Sequence, residues 1–266
     1  MKKLVTALAA CVMASAVFAQ LTSQIVGYNT VTVYPGYNLL AVNFDGVGAG
    51  SLTLAELFPT TDGEGNLLPG FTAGGVSTGD NIRFYDASTE GYTAYYLYKG
   101  AKTSDTKNYK WVSAVGSVVA SDTPVASGTA FWYKKIATTT NAVTFAGQVA
   151  NDASETHQIL TGYNMFSSIY PAAWNPNDLG VAYWQTCGAM AGNAGTGDNI
   201  RLYDATTEGY TAYYLYKGAK TSDTKNYKWV SADGNVVVTD KVLTPTVGTW
   251  YKHNGTGYTF EQDKTF

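Results

Sequence analysis

The sequence is poor in cysteine, with two in 266 residues. Cys11 lies in an apolar leader that is predicted to be removed, which leaves Cys187 as the one thiol of the mature chain. A disulfide within the mature chain is therefore excluded, and Cys187 can pair only with a thiol of another chain. The fold has to be held together by apolar burial and backbone hydrogen bonds.

Charged residues are also scarce, at 14% of the sequence. Removal of the two lysines in the leader leaves 15 basic against 20 acidic residues, a net charge of −5. A mildly acidic chain lacks the positive surface of a general nucleic-acid-binding protein. We therefore expect no nucleic acid among its partners.

The sequence has no apolar run of the length that a membrane-spanning helix needs, about 20 residues. Residues 4–18 are apolar, follow two lysines and end at the small residue Ala19. This arrangement predicts a secretory signal over residues 1–19, with Gln20 as the first mature residue. The letters LAAC ending at Cys11 resemble a lipid-attachment motif, which is the alternative. We expect no integral membrane segment after cleavage and a secreted, extracellular or cell-surface protein, with the periplasm as the alternative compartment.

Motifs for catalysis are missing or incomplete. The letters GVSTG at 75–79 match the G-x-S-x-G pattern of a nucleophile elbow, but a strand is predicted after them where the elbow needs a helix. We expect a turn-rich loop there. Asp86 and Glu90 flank a predicted hairpin turn, where carboxylates are more typical of turn caps than of a glycosidase pair. No enzymatic activity is expected.

Metal ligands are equally few. The two histidines, His157 and His253, stand at unrelated positions with no zinc-site spacing around them, and both are expected on the surface. The letters DGEGN at 62–66 alternate polar oxygens as a calcium loop does, but Leu67 and Ala73 replace the required glycine and glutamate. A solvated loop is predicted there, with no metal and no cofactor.

An internal repeat is the most informative feature that is present. Residues 79–114 read GDNIRFYDASTEGYTAYYLYKGAKTSDTKNYKWVSA, and the same letters return at 197–232 with two substitutions. Phe84 becomes leucine and Ser88 becomes threonine in the second copy.

Weaker similarity extends the repeat in both directions. The letters GYN recur at 36–38 and 162–164, and the letters WYK at 132–134 and 250–252. The mature chain is therefore predicted to consist of two units, residues 20–150 and 151–266. Aligning Gly128 with Gly248 gives the second unit a two-residue deletion, and eight extra residues of the first unit are predicted in the glycine-rich loop 59–79.

The secondary structure is predicted to be almost entirely β. Short stretches rich in Tyr, Thr and Val, separated by glycine turns, predict about seven strands in each repeat. Thr53 and Glu56 form a capping box that predicts one short helix before Pro59. The predicted fold class is all-β, with two tandem β-sandwich or barrel-like repeats, short antiparallel strands and at most one or two short helices.

The order of these motifs resembles one group of bacterial proteins. GYN is followed by GD-x-I-x-x-YD, GY-x-x-Y, a tryptophan, FWY and VTF-x-G-x-V, behind a signal sequence. In this order the chain is similar to uncharacterised secreted two-repeat β-rich proteins of Verrucomicrobia and related bacteria. The resemblance covers nearly the whole mature chain, although the C-terminal TFEQDKTF departs from the last motif. It implies an exported β protein and no particular chemistry.

The repeated segment is rich in aromatic residues. On a strand, Tyr92, Tyr96 and Tyr98 share one face, which is predicted to be a platform for stacking sugar rings, with packing between two sheets as the alternative. The basic loop 99–110 is predicted to meet an anionic polysaccharide or an acidic surface, with a solvated hairpin tip as the alternative. The candidate ligand-binding residues are Tyr92, Tyr96, Tyr98, Trp111, Lys102 and Lys107, and their copies Tyr210, Tyr214, Tyr216, Trp229, Lys220 and Lys225.

These observations favour an exported, non-enzymatic surface, structural or adhesion protein that presents a duplicated tyrosine-rich β-hairpin. The alternative is a carbohydrate-binding module that stacks sugars on the tyrosine and tryptophan platform. The expected partners are a polysaccharide or other cell-surface proteins, and self-association is the alternative. Two working copies of the segment would make the protein bivalent.

Overall fold

The computed structural model describes residues 25–48 and 50–265. The predicted signal sequence, Cys11 and the predicted N-terminus at Gln20 lie outside these residues. The described chain is all-β, as the sequence predicts, with sixteen strands in antiparallel sheets and only short helices. Within the described ranges, none of the helices has the length and hydropathy of a membrane span.

The first half of the chain contains nine strands and a helix of one turn. In chain order they are β1 (Val26–Val33), β2 (Gly36–Ala41), β3 (Leu52–Thr53), α1 (Leu54–Leu57), β4 (Asn81–Asp86), β5 (Gly91–Leu97), β6 (Trp111–Ser113), β7 (Pro124–Val125), β8 (Ala130–Lys135) and β9 (Asn141–Gln148).

The second half contains seven strands, a 3₁₀-helix and a short α-helix. In chain order they are β10 (Ser154–Ile159), β11 (Gly162–Phe166), the 3₁₀-helix Pro176–Leu179, α2 (Gly180–Thr186), β12 (Asn199–Asp204), β13 (Gly209–Leu215), β14 (Trp229–Ser231), β15 (Thr249–His253) and β16 (Tyr258–Asp263).

Two five-stranded sheets share one strand order. The first runs β2-β8-β4-β5-β6 and the second β11-β15-β12-β13-β14. Two-stranded ribbons, β1 with β9 and β10 with β16, accompany them, and β3 pairs with β7. The predicted short antiparallel strands are confirmed.

The registers of the two sheets correct one alignment. Ile82 lies opposite Tyr133 and Ile200 lies opposite Tyr251, a shift of 118 residues for both partners. The two-residue deletion predicted by aligning Gly128 with Gly248 is therefore wrong. Gly128 corresponds instead to Thr246, and both have positive φ angles, 79° and 66°. Aligning glycine with glycine gave the wrong correspondence, because Thr246 adopts the left-handed conformation that usually favours glycine.

The first core lies between the five-stranded sheet and the segments that cover it. Trp111 and Phe131 of the sheet pack with Phe145 of the β1–β9 ribbon. Phe58, just after α1, contacts all three, with ring centroids 5.9 Å from Trp111. The capping box of Thr53 is present, since its Oγ1 accepts from the Glu56 N–H at 3.2 Å, and α1 ends after one turn.

The second core uses a helix that the sequence did not predict. Trp184 of α2 contacts Trp229 at a centroid distance of 5.3 Å, which is the role that Phe58 has in the first core. Asn175 begins the preceding 3₁₀-helix with a capping box to Asp178, followed by a proline at the first position. These cap residues are the signal from which the helical segment was predictable.

Main-chain hydrogen bonds join the two repeats reciprocally. The Ala41 N–H donates to the Thr246 carbonyl at 2.9 Å, and the Ser167 N–H donates to the Gly128 carbonyl at 3.2 Å. The buried Asn43 side chain accepts from the Thr246 N–H at 2.5 Å and donates to the Ser168 carbonyl. The first two contacts are related by an approximate two-fold rotation, whereas the Asn43 contacts have no counterpart because Ile169 holds the equivalent position.

A buried carboxylate lies at the same place in each sheet. Asp198 accepts hydrogen bonds from the Tyr251 hydroxyl and from His253 Nδ1, both at 2.8 Å. Asp80 and Lys135 hold the equivalent positions in the first repeat, and all four charged groups are buried. His253 therefore lies in the interior, and the expectation of a surface position is wrong. Asp198, whose hydrogen bond offsets the cost of burying His253, lies 55 residues earlier in the chain.

The surroundings of His253 favour its protonated form. Its Nε2 lies 2.8 Å from the Thr256 carbonyl oxygen, so both ring nitrogens face acceptors. Burial lowers the pKa of His253, but the hydrogen bonds to Asp198 and Thr256 outweigh it and raise the pKa above its usual value. This interaction stabilises the fold fully below the unfolded-state pKa of about 6.5 and is lost as the pH rises through the folded-state pKa.

We expect the free energy of unfolding to fall as the pH rises above about 6.5 and through the raised folded-state pKa of His253, by at most about 1.4 kcal/mol per pH unit for this one proton. The variant His253→Gln does not titrate, so it should lack this slope. It should also be about 1.5–3 kcal/mol less stable near pH 6.5, because it loses a hydrogen bond between charged groups. Urea unfolding at a series of pH values measures both effects, and an unchanged slope in His253→Gln would contradict the assignment.

Candidate functional site

Four residues of the predicted platform lie in the interior. Trp111 and Trp229 are 1% and 0% exposed, and each packs in the core of its own repeat. Tyr96 and Tyr214 are buried as well. The turn after β6 covers Tyr96, whose hydroxyl lies 3.0 Å from Ser117 Oγ. A buried ring offers no face to a ligand, so the prediction of a platform that includes these four residues is wrong.

The basic loop is ordered by contacts of its own. The Tyr98 hydroxyl donates to Asp105 Oδ2 at 2.9 Å, and the Lys107 ammonium lies 4.8 Å from the centroid of the Tyr98 ring. The loop therefore uses Lys107 internally, against a tyrosine face. Tyr216, Asp223 and Lys225 repeat these contacts, and Lys102 and Lys220 are exposed.

The remaining predicted pair, Tyr92 and Tyr210, lies where the two repeats meet. Their side chains are 49% and 51% exposed. Tyr92 contacts Tyr85 of the same hairpin at a centroid distance of 5.2 Å, and Tyr85 contacts Trp250 of the second repeat at 4.9 Å. Tyr163 lies 5.8 Å from Trp250 and completes a row of four rings. The row thus crosses from one repeat to the other.

A second row of four rings crosses from the second repeat to the first. Tyr210 contacts Tyr203 at 5.2 Å, and Tyr203 contacts Trp132 of the first repeat at 4.9 Å. Tyr37 lies 5.9 Å from Trp132 and ends the row. Every ring of one row has its equivalent in the other, so the aromatic contacts follow the same approximate two-fold relation as the main-chain hydrogen bonds.

Strand alternation directs these side chains away from the cores. In β8 the neighbours Phe131 and Tyr133 are buried, which leaves Trp132 on the opposite face. Arg83 lies directly across from Trp132 in the register of β4 with β8. The outer faces of the two sheets therefore carry the same pattern of rings and arginine, and the two-fold contact brings them together.

The rows of rings border two pockets of similar size. The first aromatic pocket has a volume of about 310 Å³ and the second about 280 Å³. These volumes lie at the small end of ligand-binding sites, which span about 300–1,000 Å³. Tyr210 lines both, so the pockets adjoin. The first is lined by Tyr37, Arg83, Tyr92, Trp132, Tyr203 and Tyr210, and the second by Tyr85, Tyr163, Arg201, Tyr210 and Trp250.

Each aromatic pocket contains one arginine. The guanidinium carbon of Arg83 lies 5.9 Å from the centroid of the Tyr37 ring, and that of Arg201 lies 5.8 Å from the centroid of the Tyr163 ring. Each pocket therefore combines aromatic faces with a planar cation. Two ammonium groups approach the same two rings, Lys134 at 5.4 Å and Lys252 at 6.0 Å.

The hydroxyls of Tyr85, Tyr92, Tyr203 and Tyr210 stay protonated at neutral pH. Burial raises the pKa of Tyr85, and the Glu90 carboxylate raises it further. Burial also raises the pKa of Tyr92, partly opposed by a hydrogen bond with the Trp132 side chain. The copies Tyr203 and Tyr210 shift in the same direction for the same first cause. These hydroxyls are therefore neutral groups that both donate and accept hydrogen bonds.

A further cavity at the junction of the repeats, of about 450 Å³, is lined in part by His157, Asp45 and Glu155. Burial lowers the pKa of His157 to about 4, so the ring is neutral at physiological pH. The ring also packs closely against the backbone of Gly128. His157 is therefore half-buried at the junction and lines its cavity, so it is neither fully exposed, as expected, nor part of the interior.

The other sequence motifs form turns. In the loop 75–79 the Gly75 N–H donates to Thr78 Oγ1 at 2.9 Å, which confirms the predicted turn-rich loop. Asp62 accepts from two backbone N–H groups of its own loop, and Asp86 caps its hairpin turn in the same way, as predicted. Among the described residues, no group of three or more His, Cys, Asp and Glu side chains is placed to hold a metal ion.

Comparisons with known proteins give no match. A scan against protein-family models finds none that fits this chain, and searches of curated proteins and of solved structures find no similar protein. The resemblance to secreted bacterial two-repeat proteins stays a prediction, and the pocket geometry is the basis for any statement about function.

Most residues of the aromatic pockets were not among the predicted site residues. The missed residues are Tyr37, Arg83, Tyr85, Trp132, Tyr163, Arg201, Tyr203 and Trp250. Their signal was present in the sequence, because the GYN and WYK letters recur around the long repeat. Those letters served only to mark the extent of the repeat, although a tyrosine and a tryptophan kept on the outer face of a strand also indicate a contact surface.

Proposed function

We propose that this chain is an exported, non-enzymatic surface protein that adheres to polysaccharide through its two aromatic pockets. The observation that carries the proposal is the pair of equivalent pockets, each bordered by four or more aromatic side chains and an arginine. Adhesion and carbohydrate binding, which the sequence offered as alternatives, become one function in this proposal.

The chemistry of the pocket walls suits a sugar ring. The apolar face of a pyranose and the face of a tyrosine or tryptophan exclude water together when they stack. Sugar hydroxyls need both donors and acceptors, and the protonated hydroxyls of Tyr92 and Tyr210 supply both. The pockets are open at the surface, as the half-exposed rings of these two tyrosines indicate. Internal units of a long polymer can therefore enter them.

Export supports the same proposal from the sequence. A leader with the features of a signal sequence fits a protein that acts outside the cytoplasm. Cys187, the cysteine within the described residues, has no disulfide partner there. The hairpin that the repeat conserves contributes Tyr92 and Tyr210 to the contact surface.

The double variant Tyr92→Ala with Tyr210→Ala tests the proposal. Each stacked ring contributes about 0.5–1.5 kcal/mol beyond its area, so polysaccharide binding should weaken by about tenfold or more. Both side chains are half-exposed, so the fold should persist. A glycan array with the mature protein identifies the polymer, and affinity electrophoresis in gels containing that polymer measures the loss.

Tyr28→Ala is the matched control. Tyr28 is 74% exposed on β1 and lines neither aromatic pocket. Its loss should leave binding unchanged. Equal binding by the wild type, the double variant and the control would refute the pockets as the binding site. Sedimentation of the same samples reports self-association, which would favour a structural role if it depended on Tyr92 and Tyr210.

A further inference from the structure

The arginines of the aromatic pockets have no counter-charge. Within residues 25–48 and 50–265, the one ion pair closer than 4.0 Å joins His253 to Asp198. Arg83 and Arg201 therefore stand beside aromatic rings with no carboxylate in contact. Arg83 Nε is in addition buried without a hydrogen-bond partner. A buried donor left unpaired costs about 1–3 kcal/mol, more when it is charged, unless something pairs with it.

We infer that each aromatic pocket takes an acidic sugar, a pyranose ring that carries a carboxylate, with the carboxylate on Arg83 in the first pocket and on Arg201 in the second. This inference rests on the proposed function and adds the class of sugar. The ring stacks on the tyrosine and tryptophan faces while the guanidinium forms two parallel hydrogen bonds to the carboxylate.

The charges around the pockets agree with an anionic ligand. Lys134 and Lys252 place a second positive charge near the same rings as the two arginines. Each pocket also has a carboxylate at its rim, since a Cβ added at Gly36 would lie 3.7 Å from Glu208 Oε1 and one added at Gly162 would lie 3.8 Å from Glu90 Oε1. Among the described residues, neither of these carboxylates forms an ion pair with Arg83 or Arg201. A ligand carboxylate thus meets a cation that no protein carboxylate already occupies.

Arginine suits this role better than the lysines of the basic loop. A guanidinium is planar and matches a carboxylate with two hydrogen bonds, whereas an ammonium acts as a point charge. Lys107 is already placed on the Tyr98 ring, and Lys102 is exposed in a loop that lines neither pocket. Binding of the carboxylate by the pocket arginines and binding by the basic-loop lysines therefore predict different effects of replacing each residue type. One binding experiment distinguishes them.

Two polymers and two double variants test the inference. Polygalacturonate and its fully methyl-esterified form share one sugar ring and differ in charge. At a fixed salt concentration of about 0.15 M, the mature protein should bind oligomers of the acid about 10- to 100-fold tighter than the ester, as expected for hydrogen bonds between charged groups. Arg83→Gln with Arg201→Gln should remove this preference. Lys102→Gln with Lys220→Gln changes the net charge equally and should keep it.

Each outcome bears on the inference. Thermal melts verify that the variants are folded, and titration calorimetry measures binding. A preference for the acid that survives in the arginine variant, or that disappears in the lysine variant, would overturn it. Equal binding of acid and ester that depends on Tyr92 and Tyr210 would also overturn it, while leaving glycan binding in place. Binding of neither polymer, with a neutral glycan bound on the array, overturns the acidic class alone, and absence of any glycan binding overturns the proposed function as well.

Discussion

Replacing Trp229 with alanine is expected to lower the free energy of unfolding by about 3–5 kcal/mol, because the residue is fully buried and leaves a cavity among rings that cannot collapse into it. Trp184 and Tyr251 contact it at centroid distances of 5.3 and 5.9 Å. A total stability of about 5–15 kcal/mol is usual for a globular protein, so this one change removes a large share of it. Urea unfolding followed by circular dichroism measures the loss.

Trp229→Phe is the control for this prediction. Phenylalanine fills most of the space, so the loss should be clearly smaller than for alanine. Tyr28→Ala, at an exposed position, should change stability by less than about 0.5 kcal/mol. Full stability of Trp229→Ala would show that the aromatic contacts of the second core carry little energy. Reduced glycan binding by this variant reports unfolding, since Trp229 lies outside both aromatic pockets.

Disabling one aromatic pocket is expected to reduce affinity for a long polysaccharide by about 10²–10⁴-fold, because the second engagement of a bivalent protein is intramolecular. Tyr37 lines the first pocket alone and Tyr163 the second alone, and both are exposed. Tyr37→Ala with Arg83→Gln, and Tyr163→Ala with Arg201→Gln, should therefore lose avidity to a similar extent, whereas either tyrosine change alone should cost only about 2- to 10-fold. Surface plasmon resonance on immobilised polymer measures the change.

A short oligosaccharide separates avidity from pocket affinity. The wild type should bind two such ligands, and each variant with one pocket disabled by the tyrosine and arginine changes together should bind one, with little change in affinity at the intact pocket. Tyr210 lines both pockets, so Tyr210→Ala should weaken both sites at once. A stoichiometry of one in the wild type would mean that the adjoining pockets hold a single ligand, and the avidity argument would then fail.

The strands and the first helix were predictable from the sequence because they depend on local residue patterns. Strand β4 occupies the predicted letters NIRFYD, and Tyr95 and Leu97 pack toward the core as alternation requires. The capping box at Thr53 produced a helix at the expected place. Each of these features is decided within a few residues of chain, so one sequence is sufficient to predict it.

The candidate site was only partly readable, because it forms from residues far apart in the chain. Tyr85 meets Trp250 across 165 positions, a contact that no local pattern encodes. The same alternation that directs Tyr92 outward applies to Tyr96, and only the turn that carries Ser117 makes the second one buried. His253 is an interior residue for a similar reason, because its partner Asp198 lies 55 residues earlier in the chain, just before β12.

The approximate two-fold relation between the repeats also determines how a bound polysaccharide is oriented in the two pockets. A two-fold rotation reverses every direction perpendicular to its axis, and a polysaccharide has a reducing and a non-reducing end. A polymer that lies across the axis in the first pocket in one orientation enters the second pocket equivalently only when it runs the other way. Under the proposed function, two polymer strands held across the axis by one molecule would therefore lie antiparallel, so the protein would cross-link the polymer as well as attach to it.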